Sequence, residues 1–266
     1  MGFYRKKERI HKMVNIILSG CGGRMGQAIV KAAESDGACR ILSGIDINAN
    51  SIAPACKFPV YQSISDAPEG ADVIIDFSHH TALPALLDYA KKKATPIVVA
   101  TTGHTDEEKA DMLSAAESVA VFFSGNMSIG INLLIELCKS AAATLGESFD
   151  VEIIEKHHNQ KLDAPSGTAI MIADAIKKER NETEYVYDRH SVRKARESSE
   201  IGIHSVRGGT IVGEHEVIFA GNNETISLTH TATSREIFAN GALRAAKYLA
   251  NKPAGLYNMS DLINGR

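Results

Sequence analysis

The sequence is poor in the features that mark secreted, zinc-binding and nucleic-acid-binding proteins. It has only four cysteines in 266 residues, and no two of them form a CxxC pair, so neither a disulfide framework nor a cysteine metal site is expected. The formal net charge of −3 leaves no strongly basic surface for a nucleic-acid backbone. These absences predict a protein with reduced cysteines and no nucleic-acid partner.

A long apolar run is also missing near the start of the chain. Residues 1–12 are basic, and the apolar run that Met13 opens is too short for a secretory signal or a membrane span. We therefore expect a soluble, cytoplasmic protein with no membrane partner. Residues 1–12 are expected to form a loose tail, and Met13 is an alternative start of translation.

The first two thirds of the sequence alternate between short apolar strands and helical patterns. Such alternation is typical of a parallel sheet that is covered by helices on both faces. We therefore predict a Rossmann-like, doubly wound α/β domain over residues 13–128. The expected strands are Val14–Leu18, Ile41–Ile45, Val73–Phe77, Ile97–Ala100 and Val119–Phe123, and the expected helices are Met25–Glu34, Leu83–Lys93 and Asp106–Glu117, the last with Thr105 and Glu108 spaced as a capping box.

From about Ile129 the pattern changes to a long helix followed by strands that are separated by glycine and asparagine turns. Such turns are typical of antiparallel strands. We predict a smaller α+β domain with a mainly antiparallel sheet over residues 129–235, and a return of residues 236–266 to complete the first domain. The expected elements are the helix Ile131–Leu145, the strand Val151–Lys156, a helix from Ser166 to about Glu179, a charged loop through Glu200, a meander of the strands Ile203–Arg207, Thr210–Ala220 and Thr225–Thr231, and the helix Arg235–Ala250 with Thr233 and Glu236 as a second capping box.

A glycine-rich turn lies between the first predicted strand and the first predicted helix. Gly20, Gly22, Gly23 and Gly26 permit the close backbone approach that a dinucleotide pyrophosphate requires at a helix N-terminus. Asp46 follows the second predicted strand, where a carboxylate accepts hydrogen bonds from ribose hydroxyls. A tight turn without a ligand is the alternative, but the strand, the helix and the acid together favour a site for NADH or NADPH.

Further residues are predicted to extend this cofactor site. Arg24, in the first helical turn, faces the phosphates or is a surface cation. Ile47 stands where an arginine holds a 2′-phosphate, so NADH is expected to be at least as acceptable as NADPH. The segments Ala100–Gly103 and Ser124–Met127 follow the fourth and fifth strands, where open parallel sheets bind ligands. Their small and hydroxyl residues fit a nicotinamide ribose pocket and an ordinary turn equally well.

The residues with the most chemistry lie between Glu155 and Thr168, after a strand and before a helix. Ser166 is a natural N-cap, and the amides at that helix start are suited to a carboxylate. His158 and Lys161 add positive charge, which favours a small dicarboxylate substrate. His157 is suited to donate a proton near neutral pH. The alternatives are a solvated loop or a metal pair, but no third metal ligand lies at a suitable spacing, so no metal is predicted.

The other histidines and Arg235 lie outside this segment. His79 and His80 follow the third strand and are explained by a surface loop. Arg235, before the last helix, either reaches the cofactor or substrate or caps the preceding loop. The three histidines in the predicted meander are expected to be structural: His204, His215 and His230.

Several stretches together resemble the 4-hydroxy-tetrahydrodipicolinate reductase (dihydrodipicolinate reductase) family. The resemblance runs from Met13 over nearly the whole chain, and the histidine-lysine stretch is its most specific part. The matching stretches are His157–Ala169, Gly20–Gly26, Ala100–Gly103, Asn126–Asn132 and Phe238–Ala242. Ile47 and Met127 depart from common members, which have an arginine and an aromatic residue there. These departures concern cofactor preference and leave the reaction unchanged.

The resemblance implies an NAD(P)H-dependent oxidoreductase of lysine and diaminopimelate biosynthesis. It implies proton donation by His157 and Lys161, and a usual homotetramer built through the sheet of residues 203–231, with domains that close over cofactor and substrate. The implied substrate-binding residues are His158, Ser166, Gly167 and Thr168. The implied cofactor-binding residues are Gly20, Cys21, Gly22, Gly23, Arg24, Met25, Asp46, Ala100, Thr101, Thr102, Ser124, Gly125, Asn126 and Met127.

Two other functions are compatible with parts of the sequence. A two-domain amino-acid dehydrogenase, such as an aspartate or homoserine dehydrogenase, would not need the histidine-lysine run beside a Ser-Gly-Thr helix start. A non-catalytic NAD(P)-sensing regulator would bind the cofactor without turnover and leaves that run unexplained.

Overall fold

The computed structural model describes residues 13–265, so the predicted loose tail at 1–12 lies outside the described residues. The chain divides into two compact units. The first holds residues 13–124 together with Ala239–Asn258, and the second holds Gly125–Phe238 and residues 259–265.

The first unit alternates strands and helices. Val14–Ser19, Val73–Asp76 and Ile97–Val99 are buried along almost their whole length, as strands covered on both faces must be. The elements are β1 (Val14–Ser19), α1 (Arg24–Asp36), β2 (Cys39–Ile45), α2 (Ala49–Ile52), β3 (Val60–Tyr61), β4 (Val73–Asp76), α3 (Leu83–Lys93), β5 (Ile97–Val99), α4 (Asp106–Ala116) and β6 (Ala120–Phe123). The predicted capping box at the start of α4 is confirmed, because the Thr105 and Glu108 side chains each bond the other's amide.

The second unit begins with a long helix and continues with a five-stranded sheet. Its elements are α5 (Ile129–Leu145), β7 (Asp150–His157), α6 (Gly167–Lys177), β8 (Glu184–Val186), β9 (Glu200–Arg207), β10 (Gly213–Ala220) and β11 (Thr225–Ala232). The apolar faces of α5 and α6 pack with the inward residues of β7, β9 and β10 in one core, which includes Ile135, Ile153, Ile172 and Phe219.

Three elements complete the chain: α7 (Glu236–Leu249), β12 (Gly255–Tyr257) and α8 (Met259–Asn264). The division of the chain falls after Ser124 and places α8 in the second unit, where it packs against α5. The amide of Glu236 donates to Ser234 Oγ at 3.1 Å, so the hydroxyl at this helix start comes from Ser234 and not from the predicted Thr233.

The predicted fold class is confirmed. The sheet of the first unit has seven strands in the order β12-β6-β5-β4-β1-β2-β3, and all of its pairs are parallel. The strand order reverses between β1 and β4, which is the position at which open α/β sheets bind ligands beyond the carboxyl ends of their strands. The glycine-rich turn leaves β1 at this position.

The sheet of the second unit has the order β11-β10-β7-β9-β8. The greater part of its ladder is antiparallel, where β10 pairs with β7 and β11, but β9 pairs in parallel with β7 and β8. The predicted three-strand meander is therefore wrong for its first strand. Gly208 and Gly209 close no hairpin, because their backbone bonds to His157 and Asn159 and so extends the β7–β9 ladder.

The charged segment before Glu200, predicted to be a loop, contains the short edge strand β8. Tyr185 in this strand donates its hydroxyl to Asp174 at 2.6 Å. Three residues in a charged context carry little strand signal, which explains the omission.

Among residues 13–265, one helical stretch, 129–148, has the length and apolar composition of a membrane span. Ile131, Leu134, Cys138 and Ala142 on this stretch are buried in the core of the second unit.

Candidate functional site

The glycine-rich turn of the first unit is shaped by close backbone contacts. Gly20 has a φ of 78°, and a Cβ atom there would lie 2.4 Å from the carbonyl oxygen of Phe77. A Cβ on Gly26 would lie 2.2 Å from the carbonyl oxygen of Gly20, so α1 packs directly against the turn. Glycine is therefore required at both positions, and the N-terminus of α1 is left open beside the turn.

A cavity of about 740 Å³ lies against this turn. Of the predicted cofactor residues, it brings together Gly20, Gly22, Gly23 and Asp46. The Asp46 carboxylate accepts hydrogen bonds from the amides of Gly22 at 3.0 Å and Asn48 at 2.9 Å. The neighbouring Ile47 also lines the cavity and is 83% exposed.

The cavity is also lined by residues that were not among the predicted cofactor residues. Phe77, Ser78, His79 and Thr81 line it, because they follow β4, which is the neighbour of β1 at the point where the strand order reverses. The sequence signal that could have found them is the third predicted strand, Val73–Phe77, because in a doubly wound sheet the strand beside the first one at the order reversal also borders the ligand site. His79 lines the cavity and is exposed in the segment after β4, which agrees with its interpretation as a surface loop residue, whereas His80 bonds to Glu108 at 2.8 Å.

Other predicted cofactor residues lie outside this cavity. Cys21 is buried, and burial raises the pKa of its thiol to about 12. Arg24 and Met25 form the first turn of α1, where Arg24 is exposed. The remaining predicted cofactor residues of the first unit lie at the carboxyl edge of its sheet. They are Ala100, Thr101 and Thr102 after β5 and Ser124 after β6.

The last predicted cofactor residues belong to the second unit: Gly125, Asn126, Met127 and Arg235. Asn126 donates from Nδ2 to Thr168 Oγ1 at 3.0 Å and accepts from the Ser128 amide at 2.8 Å, so it lies beside a predicted substrate-binding residue. Met127 is buried and Arg235 is exposed.

The second unit holds a buried group of charged side chains around the end of β7. His157 is the last residue of β7, and its Nδ1 lies 2.5 Å from Glu155 Oε2. Glu155 is fully buried and accepts two hydrogen bonds from the Arg207 guanidinium, at 2.7 and 2.8 Å. The same carboxylate accepts the amide of Ser166 at 3.1 Å. One carboxylate thus joins the predicted proton donor, an arginine and the N-cap of α6.

These contacts shift the ionisation of the group. Burial opposes the charge on Glu155, but hydrogen bonds from Arg207, Ser205 and His157 lower its pKa to about 2. Burial lowers the pKa of His157, whereas the hydrogen bond and charge of Glu155 raise it. The nearby charges of Lys161 and Arg207 also lower this pKa. The carboxylate is therefore ionised at neutral pH, and the neutral imidazole is favoured relative to a free histidine.

His215 of β10 is a further member of this group. Its Nε2 lies 3.1 Å from Ser166 Oγ, and its ring meets the His157 ring edge-on at 5.3 Å between centroids. Burial and the nearby His157 lower the pKa of His215 to about 4. The sequence predicts a structural role for this histidine, since its strand gives no indication of the contact.

Lys161 and the start of α6 lie on the exposed side of the group. Lys161 Nζ pairs with Asp163 Oδ1 at 2.8 Å, and the backbone carbonyl of Asp163 accepts from Arg207 at 2.5 Å. Gly167 is exposed and His158 is half-buried. Ser166 caps α6 as predicted, since its Oγ accepts the amide of Ala169 at 3.2 Å.

The arrangement supplies positive charge and helix amides for an anion beside a histidine that a carboxylate orients. Within residues 13–265, no three His, Cys, Asp or Glu side chains are grouped as a metal site. The site thus offers acid–base chemistry on an anionic ligand.

Family models match both parts of the chain. One described as "Dihydrodipicolinate reductase, N-terminus" matches residues 14–127, and one described as "Dihydrodipicolinate reductase, C-terminus" matches residues 130–263.

Curated relatives and a solved structure are similar over nearly the full length. A 4-hydroxy-tetrahydrodipicolinate reductase from Caldanaerobacter subterraneus subsp. tengcongensis is 50% identical over 94% of this chain and 98% of its own. One from Clostridium novyi is 47% identical over 96% of this chain and 100% of its own. The dipicolinate-bound dihydrodipicolinate reductase from Paenisporosarcina sp. TG-14 has a TM-score of 0.77 and 25% identity, covering 92% of this chain and 97% of that one.

Proposed function

This chain belongs to the dihydrodipicolinate reductase family, and from this membership we propose how its own residues carry out the family's reaction. It catalyses the NAD(P)H-dependent reduction of 4-hydroxy-tetrahydrodipicolinate to tetrahydrodipicolinate, in the biosynthesis of diaminopimelate and lysine. The reaction consumes a hydride and a proton and releases water. The observation that carries the residue assignment is the contact of His157 and the N-cap Ser166 with one buried carboxylate, Glu155.

The glycine-rich turn fits a dinucleotide. Cβ atoms at Gly20 and Gly26 would fill the space between the turn, β4 and α1, and the open start of α1 suits a pyrophosphate. Asp46 would hold the ribose hydroxyls, as its place in the cavity of the first unit supports. When bound, the reduced nicotinamide supplies the hydride. The exposed Ile47 offers no charge to a 2′-phosphate, so NADH is proposed to bind at least as well as NADPH.

The start of α6 and its neighbours would hold the substrate. The amides of Gly167 and Thr168 and the side chain of His158 are assigned to its carboxylates. Lys161 adds a positive charge that in the structure pairs with Asp163. A substrate carboxylate is expected to replace Asp163 as the partner of Lys161, because a doubly charged ligand offers the stronger attraction.

Proton delivery is assigned to His157 and Lys161. Glu155 accepts a hydrogen bond from His157 Nδ1, so the proton that His157 gives up must leave from Nε2. The Lys161 ammonium is the second donor. Burial of His157 excludes bulk water from its Nδ1 side, and the ion pair behind it keeps the ring oriented.

We also propose that the protein is a cytoplasmic homotetramer. Free cysteines at positions 21, 39, 56 and 138 are compatible with a reducing compartment. The exposed Ser227, Thr229 and Thr231 of β11 leave a polar sheet face that is suited to pairing with a second copy. Light scattering coupled to size-exclusion chromatography tests this state, and a monomer would contradict it.

The test of the reaction is the oxidation of NADH and of NADPH in the presence of 4-hydroxy-tetrahydrodipicolinate, made freshly by a synthase. Rapid, substrate-dependent oxidation is expected, with a rate for NADH at least equal to that for NADPH. Cofactor binding without turnover would favour a regulator. Oxidation with aspartate semialdehyde but not with this imine would favour another dehydrogenase.

A further inference from the structure

Glu155 is the most completely bonded side chain of the second unit's site. It is fully buried. Its Oε1 accepts from the Ser166 amide and from Arg207 Nη2, and its Oε2 accepts from His157 Nδ1 and Arg207 Nη1. Ser205 is a further hydrogen-bond donor to this carboxylate. Together these donors fix the carboxylate in one orientation. The sequence motif around His157 does not explain why such a group lies behind it.

We propose that Glu155 and Arg207 are positioning residues for the reaction, which together fix the tautomer and orientation of His157 and hold the start of α6 beside it. This role rests on the proposed function of His157. It requires both residues, because a buried carboxylate without the guanidinium is an uncompensated charge.

The strand pairing explains how the pair forms. Glu155 and His157 are two residues apart in β7, so their side chains lie on the same face. In the parallel ladder with β9, His157 is paired with Arg207, and Glu155 with Ser205. Arg207 is therefore diagonal to Glu155 and reaches both of its oxygens. An antiparallel β9 would reverse this order and separate the pair.

The ionised carboxylate determines which ring nitrogen of His157 carries the proton. A carboxylate with a pKa of about 2 only accepts hydrogen bonds at neutral pH, so Nδ1 of His157 must be the donor. Nε2 is then the nitrogen that gains and loses the catalytic proton. A negative charge at Glu155 also favours the imidazolium, and so opposes the burial that lowers the pKa of His157.

The charged and titratable groups around His157 come from four segments. Glu155 lies on its own strand, Arg207 on β9, His215 on β10, and Lys161 on the loop before α6. Of these, only Glu155 raises the pKa of His157. Loss of its charge must therefore lower that pKa further, and a rate that depends on protonated His157 must begin to fall at a lower pH.

The test is the pH dependence of kcat/KM for Glu155→Gln in the full-length protein. We expect kcat to fall on the order of 100-fold, and we expect the affinity for NADH to remain unchanged. As the pH is raised, kcat/KM of the variant should begin to fall at a lower pH than kcat/KM of the wild-type protein. Glu152→Gln is the matched control, since Glu152 lies on the same strand and also has arginine and histidine partners, but outside the site. It should keep the wild-type profile.

A second readout needs no variant. The tautomer of His157 in the wild-type protein is measured by nitrogen-15 NMR above neutral pH, with its signal assigned by its loss in His157→Gln. The Nδ1–H form is expected, and the Nε2–H form would overturn the proposal even if Glu155→Gln fails to fold. The proposal would also be overturned if Glu155→Gln kept both the kcat and the pH profile of the wild-type protein. No turnover in the wild-type protein would instead contradict the proposed function.

Discussion

The two units build their sites from different materials. In the first unit, the turn from Gly20 to Gly26 is shaped by backbone contacts, and Asp46 is the single acidic side chain among the predicted cofactor residues. In the second, the buried Glu155 and the partly buried Arg207 form an ion pair behind His157. The first site depends on what is absent, namely Cβ atoms, whereas the second depends on charged groups held in fixed positions.

This difference has consequences for mutation. A substitution in the glycine turn changes space and backbone conformation, so it should alter cofactor affinity and leave the chemistry intact. A substitution around His157 changes proton transfer and charge, so it should alter turnover and leave the cofactor affinity intact.

The largest effect is expected for His157→Gln, which removes the proposed acid. kcat should fall by about 10²–10⁴-fold, and the affinity for NADH should not change. Stopped-flow turnover and fluorescence titration measure the two quantities. His204→Gln, a substitution of a histidine paired with Glu152 on the same sheet, should retain normal turnover. Near-normal turnover in His157→Gln would show that the acid is assigned to the wrong residue.

Lys161→Ala should reduce both substrate binding and rate. A hydrogen bond to a charged group is worth about 1.5–3 kcal/mol, so KM for the imine should rise by about 10–100-fold, with a lower kcat from the loss of the second donor. Steady-state kinetics at saturating NADH give both values. Lys156→Ala, which removes the lysine paired with Glu214, is the control. An unchanged KM would place the substrate carboxylate elsewhere.

Gly20→Ala should weaken cofactor binding. The new Cβ would meet the Phe77 carbonyl oxygen at 2.4 Å, so the turn must shift, and we expect the Kd for NADH to rise about tenfold or more, equivalent to about 1.4 kcal/mol. Gly37→Ala is the control, because Gly37 also has a positive φ, 69°, but open space around it. Gly37→Ala should lose about 1 kcal/mol of stability from the left-handed conformation. Gly20→Ala should lose more, because its Cβ also meets backbone atoms, and only Gly20→Ala should lose NADH affinity.

Asp163→Asn should have the smallest effect and the opposite sign. Its ion pair with Lys161 is partly exposed, with 57% of the Asp163 side chain accessible, and such pairs are worth about 0.2–1 kcal/mol. Removal of this competitor should lower KM for the imine by up to about fivefold. Asp106→Asn, which breaks a similar pair with Lys109 in the first unit, should leave KM unchanged. A higher KM would mean that Asp163 orients Lys161 for the substrate.

The sequence is a good guide where a site depends on local spacing. The turn at Gly20, the helix cap at Ser166 and the capping box at Thr105 follow from residues within one strand–helix connection, and the structure has them where predicted. The alternation of strands and helices predicted the parallel sheet for the same reason. The motif also placed His157, Lys161 and Ser166 in one segment.

Contacts between distant segments could not be predicted. Arg207 lies fifty-two residues after Glu155, and their contact depends on the parallel pairing of β9 with β7. Gly208 and Gly209 instead led to the prediction of a hairpin between β9 and β10. His215 reaches Ser166 from a third strand. Phe77, Ser78 and Thr81 were not predicted to line the cavity, because the cavity depends on strand order as well as on strand sequence.

The most direct test of the separation between the two sites is turnover at saturating NADH, compared with NADH affinity, in Gly20→Ala and Lys161→Ala. We predict that saturating NADH restores most of the wild-type kcat to Gly20→Ala, and that Lys161→Ala binds NADH normally but remains slow. The account would be contradicted if Lys161→Ala lost NADH affinity, or if Gly20→Ala remained slow when saturated with cofactor.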